Sequence, residues 1–151
     1  MTAIAGKTDS WENGLLLLLF NNTNFANVGD ATGLRGSSTA GVLYFSLHTA
    51  DPTEAGDQTT NEIAYTSYAR TSKNRASGAG GFTVTGSSVS PADAVTFPAG
   101  TGGSGTASFF GLGTAASAAG VLLYGGAISP TIVCGSGVTP QLTTATAITE
   151  A

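Results

Sequence analysis

Gly41-Val42-Leu43-Tyr44-Phe45-Ser46-Leu47-His48-Thr49-Ala50-Asp51-Pro52 is the stretch whose reading decides the fold. Side chains alternate across a strand, so Leu43, Phe45 and Leu47 share one face while Val42, Tyr44, Ser46 and His48 share the other. One face is wholly apolar, which predicts a core strand. Pro52 has a fixed φ and no N–H, and it pushes Asp51 out of the helical region. Asp51 can accept a local main-chain hydrogen bond, so the strand is expected to end in a turn there.

Beyond Pro52 runs a polar loop over residues 53–60, and residues 62–67 have the pattern of a short strand before Tyr68-Ala69-Arg70. Arg70 is placed to pair with an acidic residue of the loop that Tyr68-Ala69-Arg70 closes. Further on, short apolar or alternating runs recur at 81–88, 94–98, 106–113, 120–128 and 140–149, separated by turn residues. This spacing predicts an antiparallel β-sandwich or jelly-roll. The last run reads most clearly, with Leu142, Thr144, Thr146 and Ile148 on one face.

Upstream, Thr8, Asp9 and Ser10 offer capping side chains ahead of Trp11-Glu12-Asn13-Gly14 and the run Leu15 through Phe20. This predicts one short helix with Trp11, Leu15, Leu18 and Leu19 facing a sheet, a buried strand over 15–20 being the alternative. Residues 1–10 read as an N-terminal arm, 21–40 as an irregular Gly/Asn/Ser-rich insertion, and 11–151 as a single β-sandwich domain.

Charged residues make up 9% of the 151-residue chain, against about 25% in ordinary soluble domains. Of 14 charges, 12 lie within residues 1–75, and only Asp93 and Glu150 follow. A surface of Gly, Ser, Thr and Ala suits permanent packing against other protein; a freely soluble β protein is the alternative. The net charge of −4 argues against nucleic acid, because only Arg70, Lys73 and Arg75 cluster. Leu15 to Phe20 is far shorter than the roughly 20 apolar residues of a membrane span. Acidic residues before that run spoil a secretion signal, so use without secretion is expected.

Candidate chemistry is sparse. Ser46, His48 and Asp51 have the residue types of a hydrolase triad, but two alternate residues of one strand and a turn acid do not assemble a relay. His48 is expected to be structural and hydrogen-bonded. Asp51, Glu54 and Asp57 could offer oxygens to a hard cation, yet their spacing matches no EF-hand loop and they read as a solvated acidic loop. Gly111-Leu112-Gly113-Thr114-Ala115-Ala116 superficially matches a dinucleotide fingerprint; without an acidic partner or room for a crossover helix it reads as a glycine-rich turn. Cys134, the single cysteine, reads as a buried small hydrophobe. No catalytic, cofactor-binding or metal-binding residue is therefore expected, and no enzymatic activity.

Trp11 to Phe20, the Leu43 to Pro52 stretch with its Leu-His-Thr-Ala-Asp-Pro ending, and Tyr68-Ala69-Arg70 together resemble a group of small tailed-bacteriophage virion proteins. Val95-Thr96-Phe97-Pro98, Phe109-Phe110-Gly111-Leu112 and Leu122 to Ala127 extend the match. The resemblance, to capsid decoration or tail-fibre-like β-sandwich proteins, implies a non-enzymatic building block of a phage virion, assembled in the host cytoplasm. The reading it leads to is a cement protein on the capsid, with the major capsid protein or other virion proteins and copies of itself, as a trimer, for partners. Neither nucleic acid nor membrane is expected as a partner. The alternative is a tail-fibre or tail-tip component touching the host surface, with Trp11, Tyr65 or Tyr68 as candidate sugar-binding aromatics, Trp11 reading as core. Residues 1–7 and 21–40 are the expected inter-subunit contacts.

Overall fold

The computed structural model describes residues 6–150. These residues form one helix, α1 (Asp9–Asn21), and nine strands in chain order: β1 (Val42–His48), β2 (Thr71–Asn74), β3 (Phe82–Thr85), β4 (Ser88–Pro91), β5 (Val95–Thr96), β6 (Ser104–Gly113), β7 (Leu122–Gly135), β8 (Gln141–Leu142) and β9 (Ile148–Thr149). The fold is mainly β, with antiparallel pairings β1–β6, β6–β7, β3–β4, β4–β9 and β5–β8 and a single helix, in keeping with the antiparallel β-sandwich class. Residues 1–5 of the expected arm lie outside the described residues. The described residues build two compact units from interleaved segments, one from residues 6–41, 74–93 and 144–150, the other from residues 42–73 and 94–143.

The second unit is organised by β1. Its sheet runs in the order β2-β1-β6-β7, with Phe45 opposite Leu112 and Leu47 opposite Phe110. Leu43, Phe45 and Leu47 are buried as their alternation requires, and so are Ser46 and His48 on the opposite face. A strand covered on both sides here carries polar groups that need partners. Asp51 ends it as expected, its Oδ1 accepting from the Thr53 N–H at 2.8 Å. Ile63, Tyr65, Phe97, Ala107, Phe110, Cys134 and the β5–β8 pair Val95 and Leu142 complete this core. Full burial of each large apolar side chain contributes about 1.5–3 kcal/mol.

The first unit packs α1 on the β3–β4 hairpin. Thr8 caps the helix, its Oγ1 accepting from the Trp11 N–H, and Asn22 closes it in the left-handed region at φ 55°. The predicted helix is present and the strand alternative falls, but the buried face is Glu12, Leu16 and Phe20, not Trp11, Leu15, Leu18 and Leu19. The reason is that apolar residues encircle the helix over 15–20, so periodicity alone selects no face. Contact selects it: the Phe20 and Phe82 rings meet edge to face at 4.9 Å. Trp11 is 39% exposed, its ring 5.4 Å from that of Phe25, and is not core.

Phe25 also accounts for Gly14. A Cβ there would lie 2.5 Å from the Phe25 ring, so the insertion 21–40 folds back over the helix where glycine leaves room. Phe25 and Leu34 form a bridge within it.

Three further strand expectations are corrected. Residues 62–67 form no strand, only isolated bridges His48–Glu62 and Thr66–Gly102, because positive φ at Asn61 and Ser67 breaks the extended path at both ends. The run 140–149 is not one strand: it divides at the Thr144–Ala145 turn into β8, pairing with β5, and β9, pairing with β4. Only Thr and Ala lie between Leu142 and Ile148, so nothing bulky holds the run to one sheet. Gly111 and Gly113 are strand residues of β6, not a turn.

Candidate functional site

The polar residues of the β1 stretch are brought together, in part, by the fold. Ser46 Oγ lies 2.8 Å from His48 Nε2, and His48 Nδ1 lies 2.8 Å from the Thr60 carbonyl oxygen. The carbonyl can only accept, so Nδ1 carries the proton and Nε2 accepts from the Ser46 hydroxyl. Burial lowers the His48 pKa below its ordinary 6.5, against the raising effects of the Thr60 carbonyl and Glu62. Both side chains are fully buried. A Cβ on Gly111 would sit 2.6 Å from His48 Nε2 and 2.6 Å from Ser46 Oγ, so β6 closes over the pair and leaves no place for a substrate. The third residue of the supposed triad, Asp51, is engaged at its turn.

Gln58 belongs to the same buried polar layer and sequence reasoning missed it. It is fully buried, its Oε1 accepting from the Ala115 N–H at 2.9 Å and its Nε2 donating to the Tyr44 carbonyl at 3.4 Å. A Cβ on Gly113 would approach its Cδ to 2.3 Å, and one on Gly120 its Oε1 to 2.3 Å. The signal was in those glycines, which make room for a side chain in the loop opposite.

Arg70 pairs with Glu62, an acidic residue of the loop that it closes, Nε to Oε1 at 2.7 Å and Nη2 to Oε2 at 2.7 Å. Its third donor reaches the Ala115 carbonyl at 3.0 Å. With 2% of the Arg70 side chain and 16% of the Glu62 side chain exposed, this is a sequestered bidentate pair, stronger than an exposed one. The Glu62 carboxylate is the main reason the Arg70 pKa rises. Tyr68 completes the network, donating to Glu62 Oε1 at 2.8 Å and accepting from the Leu47 N–H at 3.0 Å. Burial above all raises its pKa.

Tyr65 is 2% exposed, donates to the Pro98 carbonyl at 2.8 Å, and is pushed up to about 12 by burial. Tyr65 and Tyr68 therefore do not serve as surface sugar-binding aromatics, because burial and their hydroxyl partners hold them inside.

The apparent basic cluster is dispersed. Arg70 faces Glu62, Lys73 Nζ donates to the Ala94 carbonyl at 3.2 Å, and Arg75 donates to the Leu18, Leu19 and Ala40 carbonyls at 2.9, 2.6 and 3.0 Å. Asp57 Oδ1 accepts from the Thr59 hydroxyl and N–H, which lowers its pKa. Among the described residues no group of three or more His, Cys, Asp or Glu gathers to hold a metal ion. Cys134 is buried and free, its thiol pKa raised by that burial. No described helix is long and apolar enough to cross a membrane.

A cleft of about 400 Å³ opens to solvent in the second unit. The loop residues Asp51, Pro52, Thr53, Glu54 and Gly56 form one wall; Phe109 of β6 and Leu122 to Gly125 of β7 form the other. Asp51 is fixed from two sides, by the Thr53 N–H on its carboxylate and by Asn61 Nδ2, which donates to its main-chain oxygen at 2.9 Å.

A mainly β chain that a phage fibre family model matches over residues 6–146 is a bacteriophage virion structural protein. The chain belongs to the family described as podophage GP4 fiber I protein gp80, whose model matches residues 6–146. No curated protein matches it.

Proposed function

We propose that the chain is a non-enzymatic subunit of a virion fibre that contacts the host surface. The observation that carries this reading is the family match over residues 6–146, whose description names a podophage fibre. That description favours the fibre over the capsid-cement role. The buried Ser46–His48 pair, closed off by Gly111, supports a part without catalysis.

Partners follow from the surface. From Ala94 to Thr149 there is no Asp, Glu, Lys, Arg or His, and among the described residues β7 has a strand neighbour on one side only in its sheet. Natural sheet edges are guarded by charge, and one without it is suited to pairing with protein. Copies of this chain and other virion proteins are the partners proposed; the acidic net charge of −4 disfavours nucleic acid.

Cryo-EM of the particle, with quantitative mass spectrometry of its proteins, tests the assignment. Density for this fold in a fibre, with copies in the tens or fewer, is expected. Density spread over the capsid in hundreds of copies overturns the fibre and restores the cement role.

A further inference from the structure

We propose that the cleft between residues 51–56 and the β6–β7 pair binds an uncharged saccharide. The inference rests on the fibre reading for its purpose, since contact with a host surface needs a ligand there; its chemistry comes from the cleft itself. A volume of about 400 Å³ lies within the usual range of small-molecule sites. One wall is apolar: Phe109, Leu122, Leu123 and Tyr124 are each half-buried, so they serve the interior and the cleft at once. The C–H face of a pyranose ring is the polar-poor surface such a wall accepts, and aromatic rings present a negative face to it.

The facing wall supplies acceptors. Asp51 commits Oδ1 to the Thr53 N–H, and among the described residues no donor reaches Oδ2. Glu54 is exposed and its side chain makes no hydrogen bond or ion pair among the described residues. Ionised carboxylates only accept, and neighbouring sugar hydroxyls are donors spaced to use both oxygens. The loop is held ready: Thr53, a β-branched residue, sits at φ 62°, a conformation that persists only where its surroundings enforce it. No basic residue lines the cleft, so an anionic sugar meets repulsion without compensation. A bare cation would use the exposed carboxylates alone, where ion pairs contribute little, and leave the apolar wall unused.

Gly125 supplies the test. A Cβ there would stand 3.4 Å from Pro52 Cγ and 3.4 Å from the Phe110 carbonyl oxygen, ordinary contact that the fold accommodates while the cleft floor fills. The full chain is titrated by saturation-transfer and shift-perturbation NMR with methyl glycosides of neutral hexoses, a deoxyhexose and N-acetylhexosamine. N-acetylneuraminic acid and glucosamine serve as charged arms. At least one neutral glycoside is expected to bind and the anionic sugar not to.

Glu54→Gln is expected to weaken that binding by on the order of tenfold, the loss for a hydrogen bond to a charged acceptor, and Gly125→Ala at least as much, with thermal melting of both variants unchanged. Should Gly125→Ala fail to fold, Glu54→Gln decides. The proposal is overturned if no neutral glycoside binds, if neither variant weakens binding, or if glucosamine outbinds its neutral counterpart and loses that lead in salt. A protein seen in the fibre but silent to every glycoside loses the saccharide and keeps the fibre. One that binds a glycoside but sits on the capsid keeps the cleft and loses the fibre.

Discussion

His48 is sealed between a serine and a main-chain carbonyl, and its charge state is therefore tied to folding. The folded imidazole is held neutral, its pKa lowered mainly by burial from an ordinary 6.5. The unfolded chain takes up a proton near 6.5, so it binds more protons than the fold as the pH drops below that value. Stability is thus present above 6.5 and declines as pH falls, until the folded state's own lower pKa is reached. Urea unfolding at about pH 7.5 and about pH 5.5 is expected to show a steeper loss for the native chain than for His48→Gln, which has no proton to gain. Equal losses in the two proteins would contradict the sealed, neutral histidine. His48 as a structural group is legible from its place on β1; its partner Thr60 is not, because a main-chain carbonyl leaves no mark in a sequence.

At the scale of elements, α1 ends without a basic residue in its last turn, and the cation that helix carbonyls favour arrives from far along the chain. Arg75 spreads its guanidinium over the Leu18 and Leu19 carbonyls and the Ala40 carbonyl. Arg75→Ala is expected to destabilise the first unit by roughly 2 kcal/mol, from charged hydrogen bonds and the helix dipole. Arg75→Lys should restore only part of this, because one ammonium cannot span three carbonyls; denaturant melts of both variants check the order.

The strands divide along the same line between near and far. β1 and β6 are legible because their large apolar residues alternate or run together between clear turns, and β7 is legible only at its start. β2, Thr71-Ser72-Lys73-Asn74, and β4, Ser88-Val89-Ser90-Pro91, are not: short and polar, they are strands only because β1 and β3 offer an edge. The cleft was equally hidden. Asp51, Pro52 and Glu54 stand out in the sequence, but their opposition to Phe109 and Tyr124 depends on the β1–β6–β7 order, which local periodicity does not encode.

Across the whole molecule the unequal spread of charge governs association. The half following Asp93 has no charged group until Glu150, so copies that meet there feel no repulsion, and Val133 on β7 is 68% exposed. Light scattering of the purified chain is expected to give a mass above 14.9 kDa, and Val133→Lys to shift it toward the single-chain mass with circular dichroism unchanged. A native chain that stays single at every concentration removes the self-association proposed for it.

The interleaving of the two units also bears on when the protein becomes itself. The first unit takes its strands β3 and β4 from mid-chain and β9 from residues 148–149, where Ile148 pairs with Val89, and Lys7 reaches across the sequence to Glu150. Contacts between residues so distant in sequence form slowly. A ribosome must therefore deliver residues 148–149 before α1, made well over a hundred residues earlier, finds all the strands of its unit, and during that interval Leu16 and Phe20 await partners. The first unit thus matures only once β9 has emerged, which keeps its finished surface from forming while the segments between are still being made.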